Sequence, residues 1–431
     1  IGSFSAGQTY PTEGIQLMGK LKKHRVFCAL LAVLLAVPMA SQGAGTESAE
    51  TPESTGFQES DFLSRVRRLT FEGRRAGEGY FSPDGKQIVF QSERDPVNPF
   101  YQIYLLDMET GDTRRVSPGH GKTTCPFIRP DSGDVLFGST HHDPRSKEYQ
   151  QAELDLRASG QERRYAWDYD PEMEVWVEKA GTGSAHELVR LTDVRGYDAE
   201  ASYSPDGEWI VFSSTRGAYN RELSEEEQKL LEINPAYFGE IYVMRADGSE
   251  QRRLTDVPGY DGGPFFFHDG SRIVWRRFDE EGLTADVWTM NLDGSDQRRI
   301  TDFGSMSWAP YEHPSNKYIF FASNKFGFGN FEVFIVDTEG TKEPVRVTTT
   351  DGFDGLPVPT PDGESLAWTS TRHAGEGGQI YIGRWNHEKA LEALEQAPVR
   401  GAKNEPAPAA GAKDETTPVP GAKNEDKTDH E

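Results

Sequence analysis

An all-β fold is predicted by three observations. A short turn motif recurs six times, a fixed order of strands surrounds each copy, and the copies are nearly evenly spaced. The turn reads SPDG at 82–85, RPDSG at 129–133, SPDG at 204–207, FHDG at 267–270, HPSN at 313–316 and TPDG at 360–363. Proline presets φ, and Asp-Gly supplies the positive φ that a tight hairpin needs. Each turn leads into an apolar strand: QIVFQS, DVLFGS, EWIVFSS, SRIVWRR, KYIFFAS and ESLAWTS. A third strand follows in most units, such as EIYVMR or EVFIVD, and then a fourth, such as VRLT or RRIT. Four antiparallel strands per repeat make one blade of a β-propeller.

The spacing gives the blade count. The turn Asp or its stand-in falls at 84, 131, 206, 269, 315 and 362, at intervals of 47, 75, 63, 46 and 47. The two long intervals place insertions at about 141–174 and 218–239. The last unit stops at QIYIGRW without a fourth strand, and VRRLT at 66–70 stands unused ahead of the first. Pairing the two closes the ring and removes two open sheet edges. The expected architecture is therefore a closed six-bladed propeller over 66–385. Phe265, Phe266 and Phe267 are read as core of an inner strand, not as a ligand patch.

Segments outside the ring follow from composition. Residues 1–17 precede the first Met and are read as an upstream artefact. Residues 18–44 carry Lys20, Lys22, Lys23 and Arg25, an apolar stretch from Val26 to Val37 and then small residues. That is a signal-peptide layout, too short to span a membrane stably, so the chain is expected in the periplasm or outside the cell, with no transmembrane span after cleavage. Residues 45–65 are read as a flexible leader. Cys28 leaves with the signal, so Cys125 remains alone and no intrachain disulfide forms. In the second insertion Ser224 and Glu227 form a capping box, and Pro235 ends the helix. In the first, His141-His142-Asp143 lacks the spacing of a zinc site. After Trp385 a short helix (HEKALEALEQA) precedes a low-complexity tail that should stay disordered, so 386–431 lie outside the ring.

Charge and position suggest where a partner would bind. With 46 Lys and Arg against 70 Asp and Glu, the net charge is −24. Such a body repels phosphate backbones and excludes nucleic acid as a natural partner. Inner strands line a propeller channel, and their first residues place Glu78, Asp198, Glu200, Asp261 and Asp354 near one opening. A shared acidic mouth would suit a basic peptide or a hard cation such as Ca2+, and otherwise no cofactor is expected. The competing reading makes each Asp a loop cap. Trp308 and His313, in SMSWAPYEHPSN, depart from the repeat pattern and are candidate ligand contacts or simple fillers. There is no G-x-S-x-G elbow and no H-E-x-x-H helix, so no catalytic residue is assigned.

Units such as YSPDGEWIVFSSTRG…EIYVMRADGSEQRRLT resemble the WD-repeat-like blades of the TolB family, over 66–385. The resemblance implies an exported, non-catalytic six-bladed propeller that binds a protein partner at its channel face. GYDGGPFFFHDGSRIVWRRF, SMSWAPYEHP and DGFDGLPVPTPDG are also similar to bacterial propellers that precede a zinc aminopeptidase domain. The sequence holds no zinc-ligand set, so that catalysis does not carry over. The expected role is a protein- or peptide-binding scaffold of the cell envelope. The alternatives are a propeller gating substrate for a separately encoded hydrolase and, more weakly, a lyase or cation-binding propeller.

Overall fold

The computed structural model describes residues 56–160, 169–181, 187–373 and 377–401. The proposed signal peptide at 18–44, most of the leader and the tail from 402 onward lie outside the described residues.

Six four-stranded antiparallel sheets are built, one per repeat. The inner strands are Arg75–Phe81, Thr123–Ile128, Asp198–Tyr203, Asp261–Phe266, Ser307–Glu312 and Asp354–Pro359, of blades 1 to 6. In blades 1 to 5 the sheet order follows the chain outward from the inner strand. Blade 6 departs from this order: its outermost strand, Leu63–Arg68, pairs with Gln379–Trp385 from the other end of the chain. The closure expected from VRRLT is thus present.

One polar lock repeats in the blades and explains the Thr of the fourth-strand motif. The third strand carries Gln, Glu or Asp at its first or second residue, and a Thr or Ser beyond the fourth strand donates its hydroxyl to that side chain. Examples are Ser117 to Gln102 at 2.7 Å, Thr301 to Asp286 at 2.9 Å and Thr348 to Glu332 at 2.6 Å. The same hydroxyl accepts the next main-chain N–H of the third strand, as Val287 to Thr301 at 2.9 Å. Each lock satisfies buried polar groups that would otherwise be costly. In blade 6 it spans the seam, because Thr70 donates to Gln379 across 2.8 Å.

The seam is reinforced by residues the sequence reading treated as a leader. Residues 56–65 are not a loose leader: Glu59–Phe62 forms a short helix, α1, and Leu63 begins the closing strand. Phe62 is fully buried and stacks on Trp385, with ring centroids 5.9 Å apart. Glu59 pairs with Arg372 at 2.6 Å.

Among the described residues three further α-helices lie outside the sheets. Ser146–Ala158 (α2) belongs to the first insertion and Glu225–Ile233 (α3) to the second. The capping box of α3 forms as expected, with Ser224 accepting from Glu227 N–H at 3.2 Å. His387–Gln396 (α4) packs Ala390, Ala393 and Leu394 into the core beside Trp385.

Strand direction sorts the loops. The four Asp-Gly turns place Gly85, Gly207, Gly270 and Gly363 at φ of +68° to +72°, where a side chain would be strained. All six turns lie on one face of the ring. Loops joining second to third strands, including both insertions, share the opposite face with the starts of the inner strands.

Candidate functional site

In every blade the pairing between inner and second strand slips at one place, as between Gly77 and Tyr80 in blade 1 or Ala199 and Ser202 in blade 3. Inside each slip one residue takes φ between +50° and +57°: Glu78, Cys125, Glu200, Gly263, Ala309 and Leu356. Five of these are not glycine, so the conformation is held against a steric cost. A bulge re-aims its side chain, and all six residues line one cavity of about 150 Å³.

The next inward layer closes the channel. It holds Tyr80, Phe127, Phe265 and Tyr311, with Tyr80 and Phe265 centroids 5.3 Å apart and Phe265 and Tyr311 centroids 5.0 Å apart. Blades 1 and 4 stand opposite each other in the ring, so the Tyr80–Phe265 contact crosses the axis. This corrects the reading of the Phe triplet in part. Phe266 and Phe267 are core, but Phe265 lines the channel.

Three bulge side chains make the floor polar. Glu78 accepts from Gln91 Nε2 at 2.7 Å, and burial pushes its carboxyl up to about 7. Cys125 sits beside it, and burial raises its thiol, so it is no ready nucleophile. Glu200 accepts from Gly263 N–H at 2.5 Å, from Tyr260 OH, and from Arg276 Nη2 at 3.0 Å. Arg276 reaches Glu200 because position 263 is glycine. A Cβ there would lie 1.9 Å from Arg276 Nη1. Burial opposes the Arg276 charge, but Glu200 together with the neighbouring Tyr260, Tyr169 and Cys125 outweighs it and holds the guanidinium protonated.

The mouth is apolar. Phe278, Met306, Phe331 and Phe353 pack in one cluster with Tyr260 and Ala236, and Trp308 packs against it. Phe328, on the rim of the cavity, remains 48% exposed.

The expected acidic rim does not assemble. Glu78, Glu200 and Trp308 meet in the cavity, whereas Asp198, Asp261 and Asp354 do not line it. Those three are buried, each paired with an Arg of its own blade: Arg216, Arg277 at 2.7 Å, and Arg372. They sit two residues before the bulge on strands Asp198–Tyr203, Asp261–Phe266 and Asp354–Pro359, still in regular pairing with Ser214, Arg277 and Ser370 of the second strand. The loop-cap reading also misses this, since their side chains accept from guanidinium groups and, for Asp198 and Asp354, also from Ser214 Oγ and from Trp368 Nε1 at 3.1 Å. Their carboxylates are therefore not free for Ca2+. Among the described residues no group of three or more His, Cys, Asp or Glu is placed to hold a metal ion.

His313 lies on the opposite, turn-bearing face. Its ring stacks on Tyr318 and on His387, both at 4.6 Å between centroids. Burial, then the neighbouring His387, lowers its imidazole to about 4. The unfolded chain, titrating at about 6.5, then takes up the proton first. Stability from the neutral ring is complete above that pH and is lost as pH falls toward 4. His313→Phe keeps an aromatic ring there and should flatten the acid decline in melting temperature between pH 6.5 and 4. Equal declines in the two proteins would show that another group titrates.

Sequence reasoning missed Arg276 and gave Gly263 no role. Arg276 reads as one of two arginines in an ordinary strand. The signal was Gly263 standing in the row Glu78, Cys125, Glu200, where the missing side chain leaves room for a neighbour.

With this geometry in view, the chain can be set beside known proteins. No family model matches it. It is 33% identical over 201 residues to an uncharacterized protein of Agrobacterium fabrum, covering 46% of this chain and 53% of that one. The chain thus spans about half the length of the curated relative it matches. Among solved structures it is similar to a putative TolB from Agrobacterium tumefaciens, with 17% identity, a TM-score of 0.47, and coverage of 72% of this chain and 90% of that one. It is also similar to an oligogalacturonate lyase from Vibrio parahaemolyticus, with 15% identity, a TM-score of 0.45, and coverage of 76% and 96%. Likenesses at this level choose no function between a TolB and a lyase, and the fold stands on the six sheets themselves.

Proposed function

We propose that this chain is an exported, non-catalytic binding module of the cell envelope, gripping a protein or peptide partner at the channel mouth. One observation carries the reading. Nine large apolar side chains are exposed among the described residues; five of them (Phe71, Val97, Leu283, Phe326 and Phe328) stand in loops of the mouth face, and Ile233 ends α3 on that face. These exposed apolar groups come from several blades, and all lie on the face that holds the cavity mouth, where they offer a partner an apolar rim. Beneath them the cavity offers an apolar wall and a small polar floor, the composition of a binding pocket. Export rests on the signal-peptide pattern at 18–44 and on nothing else.

The electrostatic basis for a basic partner is weak in this geometry. Arg216, Arg277, Arg372 and Arg276 each balance a carboxylate, and burial shifts Glu78 toward neutrality. The partner is better matched by apolar side chains than by a cluster of lysines. Phe328→Ser should weaken capture of the partner from envelope extract by at least about tenfold while leaving the melting temperature unchanged. Undiminished capture by Phe328→Ser and by Val97→Ser would place the partner on another face.

A further inference from the structure

Two buried N–H donors in the cavity wall have no acceptor. Arg276 is 8% exposed; its Nη2 serves Glu200 at 3.0 Å and Tyr260 OH at 3.1 Å, while its Nε has no partner. Trp308 Nε1 is also buried and unpartnered. The two side chains are neighbours, with the guanidinium carbon 5.5 Å from the indole centroid. Buried donors without a protein acceptor are uncommon in folded proteins, and a pair of them in one cavity wall can serve an oxygen acceptor that enters the cavity.

The surroundings say which oxygen. Arg276 is already balanced by Glu200, so an entering carboxylate would bring an uncompensated charge beside Glu200. An ammonium group would meet Arg276 at close range. A neutral carbonyl accepts both hydrogen bonds and changes no charge. Met306, Phe331 and Phe353, in the same wall, give an apolar side chain its place. We propose that the cavity is built for an uncharged peptide amide next to an aromatic or aliphatic side chain, its carbonyl oxygen accepting from Arg276 Nε and Trp308 Nε1. This assignment rests on the mouth-binding reading above and names the chemistry of the inserted tip.

Three small probes test it by calorimetry or NMR titration of the full chain. They are N-acetylphenylalaninamide, N-acetylphenylalanine with a free carboxylate, and phenylalaninamide with a free amine. The neutral diamide should bind at least about tenfold tighter than either charged analogue, with little dependence on salt. Trp308→Phe, which keeps the ring but removes the N–H, should weaken the diamide about tenfold. Trp176→Phe, at another unpartnered indole outside the cavity, should not. Equal or tighter binding of a charged probe overturns the proposal, as does indifference to Trp308→Phe. If no probe binds while partner capture still fails in Phe328→Ser, the amide assignment falls and the mouth reading stands. If capture is also indifferent to Phe328→Ser and to Val97→Ser, both fall.

Discussion

Asp198→Asn should cost about 3–5 kcal/mol of stability, because it leaves Arg216 buried without its counter-charge. The side chains are 0% and 6% exposed, so water cannot take over the role of the lost carboxylate. Burial raises the Asp198 carboxyl, while Arg216 opposes that shift and favours the charged form. Asn keeps the shape but not the charge. Asp261→Asn and Asp354→Asn remove the same kind of partner from Arg277 and Arg372, and should be destabilising for the same reason. The measurement is chemical denaturation of each single variant, with partner affinity determined on the folded fraction. A loss of affinity at unchanged stability would restore the acidic-rim reading and remove the structural one. A loss of stability at unchanged affinity is the expected outcome.

Removing the residues up to Thr70 should abolish cooperative folding of the ring. The deletion takes away the outermost strand of blade 6, the Thr70–Gln379 lock and the Phe62–Trp385 stack. It leaves the strand Gln379–Trp385 as an unpaired edge, which invites aggregation. Phe62→Ala is the milder version, and loss of a fully buried aromatic side chain should cost about 3–5 kcal/mol. Thermal unfolding of both proteins decides the matter. A melting curve unchanged by the deletion would mean that the seam does not hold the ring.

The sequence by itself determined the repeat count, the blade unit and the closing strand. Those features are local: Asp-Gly turns fix hairpins, alternating apolar strands fix faces, and the unpaired ends leave one way to hide two edges. Glu78, Cys125, Glu200, Gly263, Ala309 and Leu356 share one position in the repeat, but nothing in the sequence sets that row apart from the one two residues earlier, which holds Asp198, Asp261 and Asp354. Only the tertiary structure decided which of the acidic residues face the cavity. Asp198 and Glu200 are two residues apart, yet one is sealed against Arg216 and the other reaches the axis. The difference comes from the bulge, where a left-handed φ at Glu200 turns its side chain inward while Asp198 remains in regular pairing with Ser214. Arg276 was hidden for the complementary reason. Its role depends on an empty position on the neighbouring strand and on a carboxylate in the next blade, and neither proximity is visible along the chain.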